Sequence, residues 1–116
     1  MRHQNKKKTL DRKAAGRRSL LANLAESLII YEKIKTTKAK AKATRSLVER
    51  LITKAKPNDL AARRLLKRVL YTKNAVDKTM EVLGPRYLDR KGGYTRITLL
   101  GVRKGDAGEE AMVELV

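Results

Sequence analysis

A chain of 116 residues with 29 Lys and Arg against 12 Asp and Glu carries a formal net charge of +17, a self-repelling excess that makes sense beside a polyanion, because neutralised phosphates release counterions. Cys is absent, which excludes disulfides and zinc–thiolate sites and fits a reducing compartment. No apolar run approaches the roughly 20 residues of a membrane helix, and the basic start lacks the apolar segment of a secretory signal; a basic amphipathic start can imitate a mitochondrial presequence, which is the minor alternative here.

Residues 1–9 have no apolar periodicity and read as a flexible basic arm; residues 10–116 are long enough to form one domain with a modest core. A first helix is expected over Arg12 to Ile30, capped by Asp11, with Leu21, Leu24, Ala25 and Leu28 as its apolar stripe. The stripe runs out at Arg17, so the N-terminal half of this helix should project from the core. Lys33 to Thr36 alternate as a short strand. Thr37 can cap a second helix, Lys38 to Lys56, whose inner face is Ala43, Leu47, Val48, Leu51, Ile52 and Ala55. Lys38, Lys42, Arg45 and Lys56 fall roughly opposite, and Pro57 ends the helix. Asp59 can cap a third helix with Leu60, Leu65, Leu66 and Val69 inward. A fourth is expected over Ala75 to Leu83, with Val76, Met80 and Leu83 inward and Gly84-Pro85 as its stop. The period then drops to two: Thr95 to Leu100 and Ala111 to Leu115 read as strands, joined through Gly101, Gly105 and Gly108. The order is helix, strand, three helices, two strands. It predicts an α+β, two-layer domain in which helices cover one face of a small sheet.

The charge is uneven along this order. Residues 1–18 hold eight bases and one acid, residues 33–56 nine bases and one acid, and the last twelve residues four acids and no base. Such polarisation favours one RNA-facing side and an opposite side. Three groups of cations are candidate RNA contacts. The first is the arm and the outer half of the first helix: Arg2, Lys6, Lys7, Lys8, Arg12, Lys13, Arg17 and Arg18; the plainer reading of the arm is a solvated tail. The second is the helix stripe Lys38, Lys42 and Arg45, interrupted by Glu49 and equally readable as a solvated face. The third is the segment from Pro85 to Arg96. Here Arg86, Arg90, Lys91 and Arg96 can fork onto or neutralise phosphates, Gly92 and Gly93 let backbone amides approach closely, and Tyr87 and Tyr94 can stack on exposed bases. The plainer readings are a turn for the glycines and core packing for the tyrosines.

Catalytic readings are weak. His3 is the only His and sits in the arm without a fixed partner, so a His-based triad or His cluster is out. No phosphate-cradling glycine motif is present. Glu109, Glu110 and Glu114 could be imagined as a metal site but read more simply as a solvated strand edge. No catalytic residue, metal or cofactor is expected. A DNA-coating protein, a binder of an acidic protein and a basic membrane-surface helix are the rival readings.

Over nearly its full length the chain resembles the bacterial large-subunit ribosomal protein L-seventeen family. The resemblance is carried by Met1-Arg2-His3, by Glu32-Lys33-Ile34-Lys35-Thr36-Thr37 and by Glu49 to Lys56. It continues in Asp59 to Arg64, Pro85-Arg86-Tyr87, Gly92 to Ile97 and Glu114-Leu115-Val116. It implies the same element order and a structural, non-enzymatic role in the cytoplasmic ribosome. It also implies large-subunit ribosomal RNA and neighbouring ribosomal proteins as partners near the rim of the peptide exit tunnel, with no membrane and no small-molecule substrate. His3 enters the candidate RNA contacts through this resemblance. Family members usually have His-Arg where this chain has Gly16-Arg17, and often Gly-Asp-Leu-His where it has Asn58-Asp59-Leu60-Ala61. A glycine within a helix costs about 1 kcal/mol relative to Ala, so a late start or a bend is expected near Gly16.

Overall fold

In a computed structural model, Leu10 and residues 12–116 are described; the arm, with Arg2, His3, Lys6, Lys7 and Lys8, and the expected cap Asp11 lie outside them. The elements follow the expected order. α1 spans Ala14–Tyr31, β1 Lys33–Thr37, α2 Lys38–Ala55, α3 Leu60–Lys67 and α4 Lys73–Lys78, with β2 (Thr95–Val102) and β3 (Glu109–Leu115) closing the chain. The three strands form one antiparallel sheet in the order β1-β3-β2.

Several expectations at helix ends are corrected. α1 starts two residues later than expected, and Lys13 holds the N-cap position without a side-chain hydrogen bond. Its fully buried residues are Ala22, Ala25, Leu28 and Ile29, while Leu21 and Leu24 are only half-buried. The stripe therefore sits one residue further round the helix and begins later, so the half carrying Arg12, Lys13 and Arg18 is exposed as expected. Thr37 occupies the N-cap of α2, but its hydroxyl accepts no capping bond. Asp59 does cap α3, accepting from the Ala62 N–H at 2.8 Å. α3 buries Ala62 and Leu66 and leaves Leu60 and Leu65 outside, because a helix of 8 residues has room for one inward row only.

The Gly84-Pro85 pair does not stop the fourth helix. α4 continues through a π-helical turn, Thr79–Leu83, into a last α-helical turn, Gly84–Arg86. Proline lacks an N–H and its ring collides with the carbonyl four residues back in a regular α-helix. Here the wider turn just before Pro85 lets the Gly84 N–H donate to the Thr79 carbonyl, five residues back. Thr79, fully buried, donates its hydroxyl to the Ala75 carbonyl at 2.7 Å, a side-chain back-bond of the kind that bends helices. Gly84 matters for its size. A Cβ there would lie 3.2 Å from the Ala55 carbonyl oxygen at the end of α2. Gly84→Val is therefore expected to destabilise the fold by about 1–3 kcal/mol through overpacking, read as a lower urea midpoint at unchanged slope. A midpoint equal to that of the native chain would show that the two helix ends can move apart without cost.

One core joins both layers. Leu28 and Ile29 of α1, Val48, Leu51 and Ile52 of α2, Leu66, Val76 and Leu83 of the later helices and Val113 of the sheet are all buried in it. Strand alternation supplies the inner face: Ile34, Val113 and Ile97 form one cross-strand row, and Thr36, Ala111 and Leu99 the next. The outer face has the row Lys33, Glu114 and Arg96, as period-two alternation requires.

Candidate nucleic-acid interface

The acidic C-terminal segment is not a negative face. Glu110 pairs with Lys35 at 3.3 Å, Glu109 with Lys38 at 3.6 Å, Glu114 with Arg96 at 3.0 Å and Asp106 with Arg103 at 2.6 Å. Each of these four carboxylates meets a cation, from β1, α2, β2 or the loop after β2, so the acids of this segment leave no unpaired negative charge. The same pairs divide Glu109, Glu110 and Glu114 among three separate cations, which is not how a metal site is arranged.

The candidate cations sort into two kinds. Arg12 and Lys13 just before α1 and Arg17 and Arg18 in its outer part are paired with no carboxylate among the described residues; Lys91 and Arg90 are exposed in the loop before β2, where the Arg90 side chain reaches the Gly93 carbonyl at 3.4 Å. These six can meet phosphates without first leaving an acid. Arg86, Arg96, Lys38 and Arg45 are engaged already. Arg45 lies 3.6 Å from Glu49, and Glu49 accepts from the N–H and hydroxyl of Thr95 at 3.3 and 3.2 Å. Glu49, read in the sequence as an interruption, is the tie between α2 and the start of β2. Lys38, Lys42 and Arg45 do not lie on a bare helix face. With Ile97 and Leu99 they border a groove between α2 and the sheet.

Arg86 illustrates the second kind most fully. Glu32 ends α1 in a left-handed conformation, φ 65°, and its N–H donates to the Leu28 carbonyl at 2.8 Å. This turn presents the carboxylate to Arg86, which grips it with two nitrogens at 2.5 and 3.2 Å, and to Lys78 at 3.1 Å. The Glu32 carbonyl also accepts from the Leu115 N–H at 2.9 Å, so this one residue joins α1, the sheet and the fourth helix. The Arg86 hydrogen bonds, helped by Lys78, hold the Glu32 carboxyl down at about 2 against an ordinary 4.5, and the same pair raises Arg86. A carboxyl depressed on folding contributes stability above its unfolded value and loses it as the pH falls through the folded one. Between about pH 4.5 and 2 the native chain is therefore expected to lose more unfolding free energy than Glu32→Gln. Because the Glu32 side chain is 38% exposed, solvent screening limits this difference to about 1 kcal/mol. Parallel pH profiles of the urea midpoint would contradict it.

Tyr87 and Tyr94 are core residues. They are 4% and 1% exposed, with ring centroids 5.1 Å apart. Tyr87 donates its hydroxyl to the Val116 carbonyl at 2.5 Å, and the Tyr94 hydroxyl lies 3.1 Å from Thr53 Oγ1 and 3.2 Å from the Arg90 carbonyl. Lys56, read as an outward cation, stands over the Tyr94 ring at 4.8 Å and donates to the Arg90 carbonyl. The base-stacking role considered for these two rings is thus corrected, since neither presents a face to a base. Gly92 and Gly93 are exposed in the turn before β2, and Gly93 at φ 64° needs glycine's freedom.

Sequence reasoning passed over the cations of α3 and its surroundings. Arg64, Lys67, Arg68 and Lys73 are exposed, and Arg63 pairs with Asp77 at 2.8 Å. Their signal was the Arg63-Arg64 and Lys67-Arg68 doublets, overlooked because α3 was read for its leucines. The exposed tyrosines are Tyr31 and Tyr71, the two not singled out.

These features define a small, basic α+β protein. Among the described residues, the acids of its sheet end are each matched by a cation, and many cations of its helices and of the loop before β2 are not. The description ribosomal protein L17 matches over residues 20–116. A large ribosomal subunit protein bL17 from Solibacter usitatus is 53% identical, covering all of this chain and 77% of the relative. Relatives of the same name from Hydrogenobaculum sp. and Gemmatimonas aurantiaca are 50% and 48% identical, again over the whole chain and over 99% and 98% of their own lengths. The chain belongs to the ribosomal protein L17 family, a family of structural proteins and not of enzymes.

Proposed function

We propose that this protein is a structural constituent of the large ribosomal subunit that binds ribosomal RNA through Arg– and Lys–phosphate contacts, near the rim of the peptide exit tunnel as its family resemblance suggests. The observation that carries the RNA part is the sorting of cations. Arg12, Lys13, Arg17, Arg18, Arg90 and Lys91 are held in no ion pair among the described residues, whereas every acid of the C-terminal segment is matched by a neighbour. A polyanion supplies the charge this arrangement lacks. Contacts to phosphates fix position and shape more than sequence, so a junction of RNA helices is the natural target, and Arg2, His3, Lys6, Lys7 and Lys8 of the arm, outside the described residues, are proposed as further contacts. Lys38, Lys42, Arg45, Arg86 and Arg96 are further candidate contacts, and Lys38, Arg45, Arg86 and Arg96 meet RNA only where a phosphate displaces or shares their carboxylate. The exposed leucines of the hairpin, Leu99 and Leu100, with Val102, suit a neighbouring ribosomal protein in the cytoplasmic particle.

The test is sedimentation of the tagged protein from lysate at moderate salt, with and without RNase. Comigration with large subunits, abolished by RNase, is the expected result. A light fraction containing no subunits, or a complex that survives RNase, would overturn the reading and favour a protein partner.

A further inference from the structure

Resting on that RNA-binding reading, we infer that the cleft between α3 and the start of α4 is a site for one unpaired nucleotide, with its base stacked on Tyr71 and its phosphate between Lys67 and Lys73. The cleft encloses about 410 Å³. Leu70 and Val76 line it and are buried, 3% and 1% exposed, so they offer an apolar floor. Arg63, Lys67 and Lys73 contribute to its walls. Asp77, outside that lining, is held by Arg63 at 2.8 Å and kept below its ordinary value by that hydrogen bond, with Lys73 and Lys67 close enough to add to the effect. The cleft is therefore net positive even after its ion pair is formed.

Tyr71 is 61% exposed, yet it is fixed at both ends. Its N–H and that of Thr72 donate to one oxygen of the Glu26 carboxylate on α1, the Thr72 bond at 2.9 Å. Its hydroxyl donates to Ser19 Oγ at 3.4 Å, a long bond. An exposed aromatic ring that is already anchored has little rotational freedom left to lose, which favours stacking on a base. Tyr31 is more exposed still but borders none of the clefts described, and Tyr87 and Tyr94 are buried. The geometry combines the parts of single-stranded recognition: a π-face, an apolar floor and cations for the backbone.

The experiment uses the full chain and large-subunit rRNA containing 4-thiouridine. After irradiation and digestion, trypsin releases Tyr71 in the peptide Val69–Lys73. A crosslink in this peptide to an unpaired nucleotide is expected. Tyr71→Leu should lose that crosslink and weaken binding about tenfold while leaving the salt dependence unchanged. Tyr71→Phe should bind as the native chain does, and Lys67→Gln with Lys73→Gln, which releases the one phosphate between them, should lower the salt slope by about one. The site is overturned by a Tyr71→Leu chain that binds like the native one, or by a Tyr71→Phe chain that loses as much as Tyr71→Leu; urea unfolding of both establishes that they fold. These outcomes leave the RNA-binding reading standing. Failure of the native chain itself to bind rRNA would remove both.

Discussion

Tyr94→Ala is expected to destabilise the protein by about 3–5 kcal/mol, the range for truncating a large buried aromatic side chain. The ring is 1% exposed and lies against Tyr87, so its removal leaves a cavity between the end of the fourth helix and the start of β2. The change also strips partners from Thr53 and from the Arg90 carbonyl, and it removes the ring face under Lys56. Tyr94→Phe keeps the ring and loses the hydroxyl, and should cost only about 1 kcal/mol. The measurement is equilibrium urea unfolding of the three chains. The pattern expected of a core residue is a large loss for Ala and a small one for Phe, with native-like RNA affinity for Phe. A stable Ala variant with weakened RNA binding would instead restore the ring to the RNA surface.

The second large effect is on binding. Replacing Arg12, Lys13, Arg17 and Arg18 together by Gln is expected to leave the unfolding midpoint within about 0.5 kcal/mol of native, the usual scale for surface changes, because these side chains lie outside the core and are paired with no described carboxylate. Each phosphate contact contributes about 0.9 to the logarithmic salt slope on duplex. Losing four should flatten the slope by about 3 to 4 and lower affinity by about two to three orders of magnitude at moderate salt. Arg96→Gln is the comparison. Its guanidinium holds Glu114, so its loss should alter the slope far less than one full contact.

Element order and core were legible because apolar spacing is a direct record of burial. Val48, Leu51, Ile52 and Ala55 of α2, and the alternation ending in Val113, read correctly. What escaped was whatever depends on a partner distant in sequence. Tyr87 and Tyr94 sit among cations in the chain, yet the fold turns them onto Thr53, Lys56 and the terminal carbonyl. Arg86 looks like a phosphate ligand until Glu32, more than fifty residues earlier, is brought to it. The acidic tail looks like a negative face until β1 and β2 flank β3 and supply its counter-charges. The continuation of the fourth helix through Pro85 depends on a π turn, a local geometry that residue type alone does not announce. The candidate site was therefore legible as an excess of charge, whereas the division between cations already matched and cations left for a partner belongs to the tertiary structure.

The central claim is that these unmatched cations neutralise RNA phosphates. Its most direct test is the affinity of the full chain for large-subunit rRNA as a function of salt concentration. If about eight phosphates are neutralised, log K falls against log salt with a slope of about −7 on duplex RNA and about −6 on single strands. A slope shallower than about −2 would contradict the claim, because so few released counterions cannot account for phosphate contacts by the cations at the start of α1 and in the loop before β2 together.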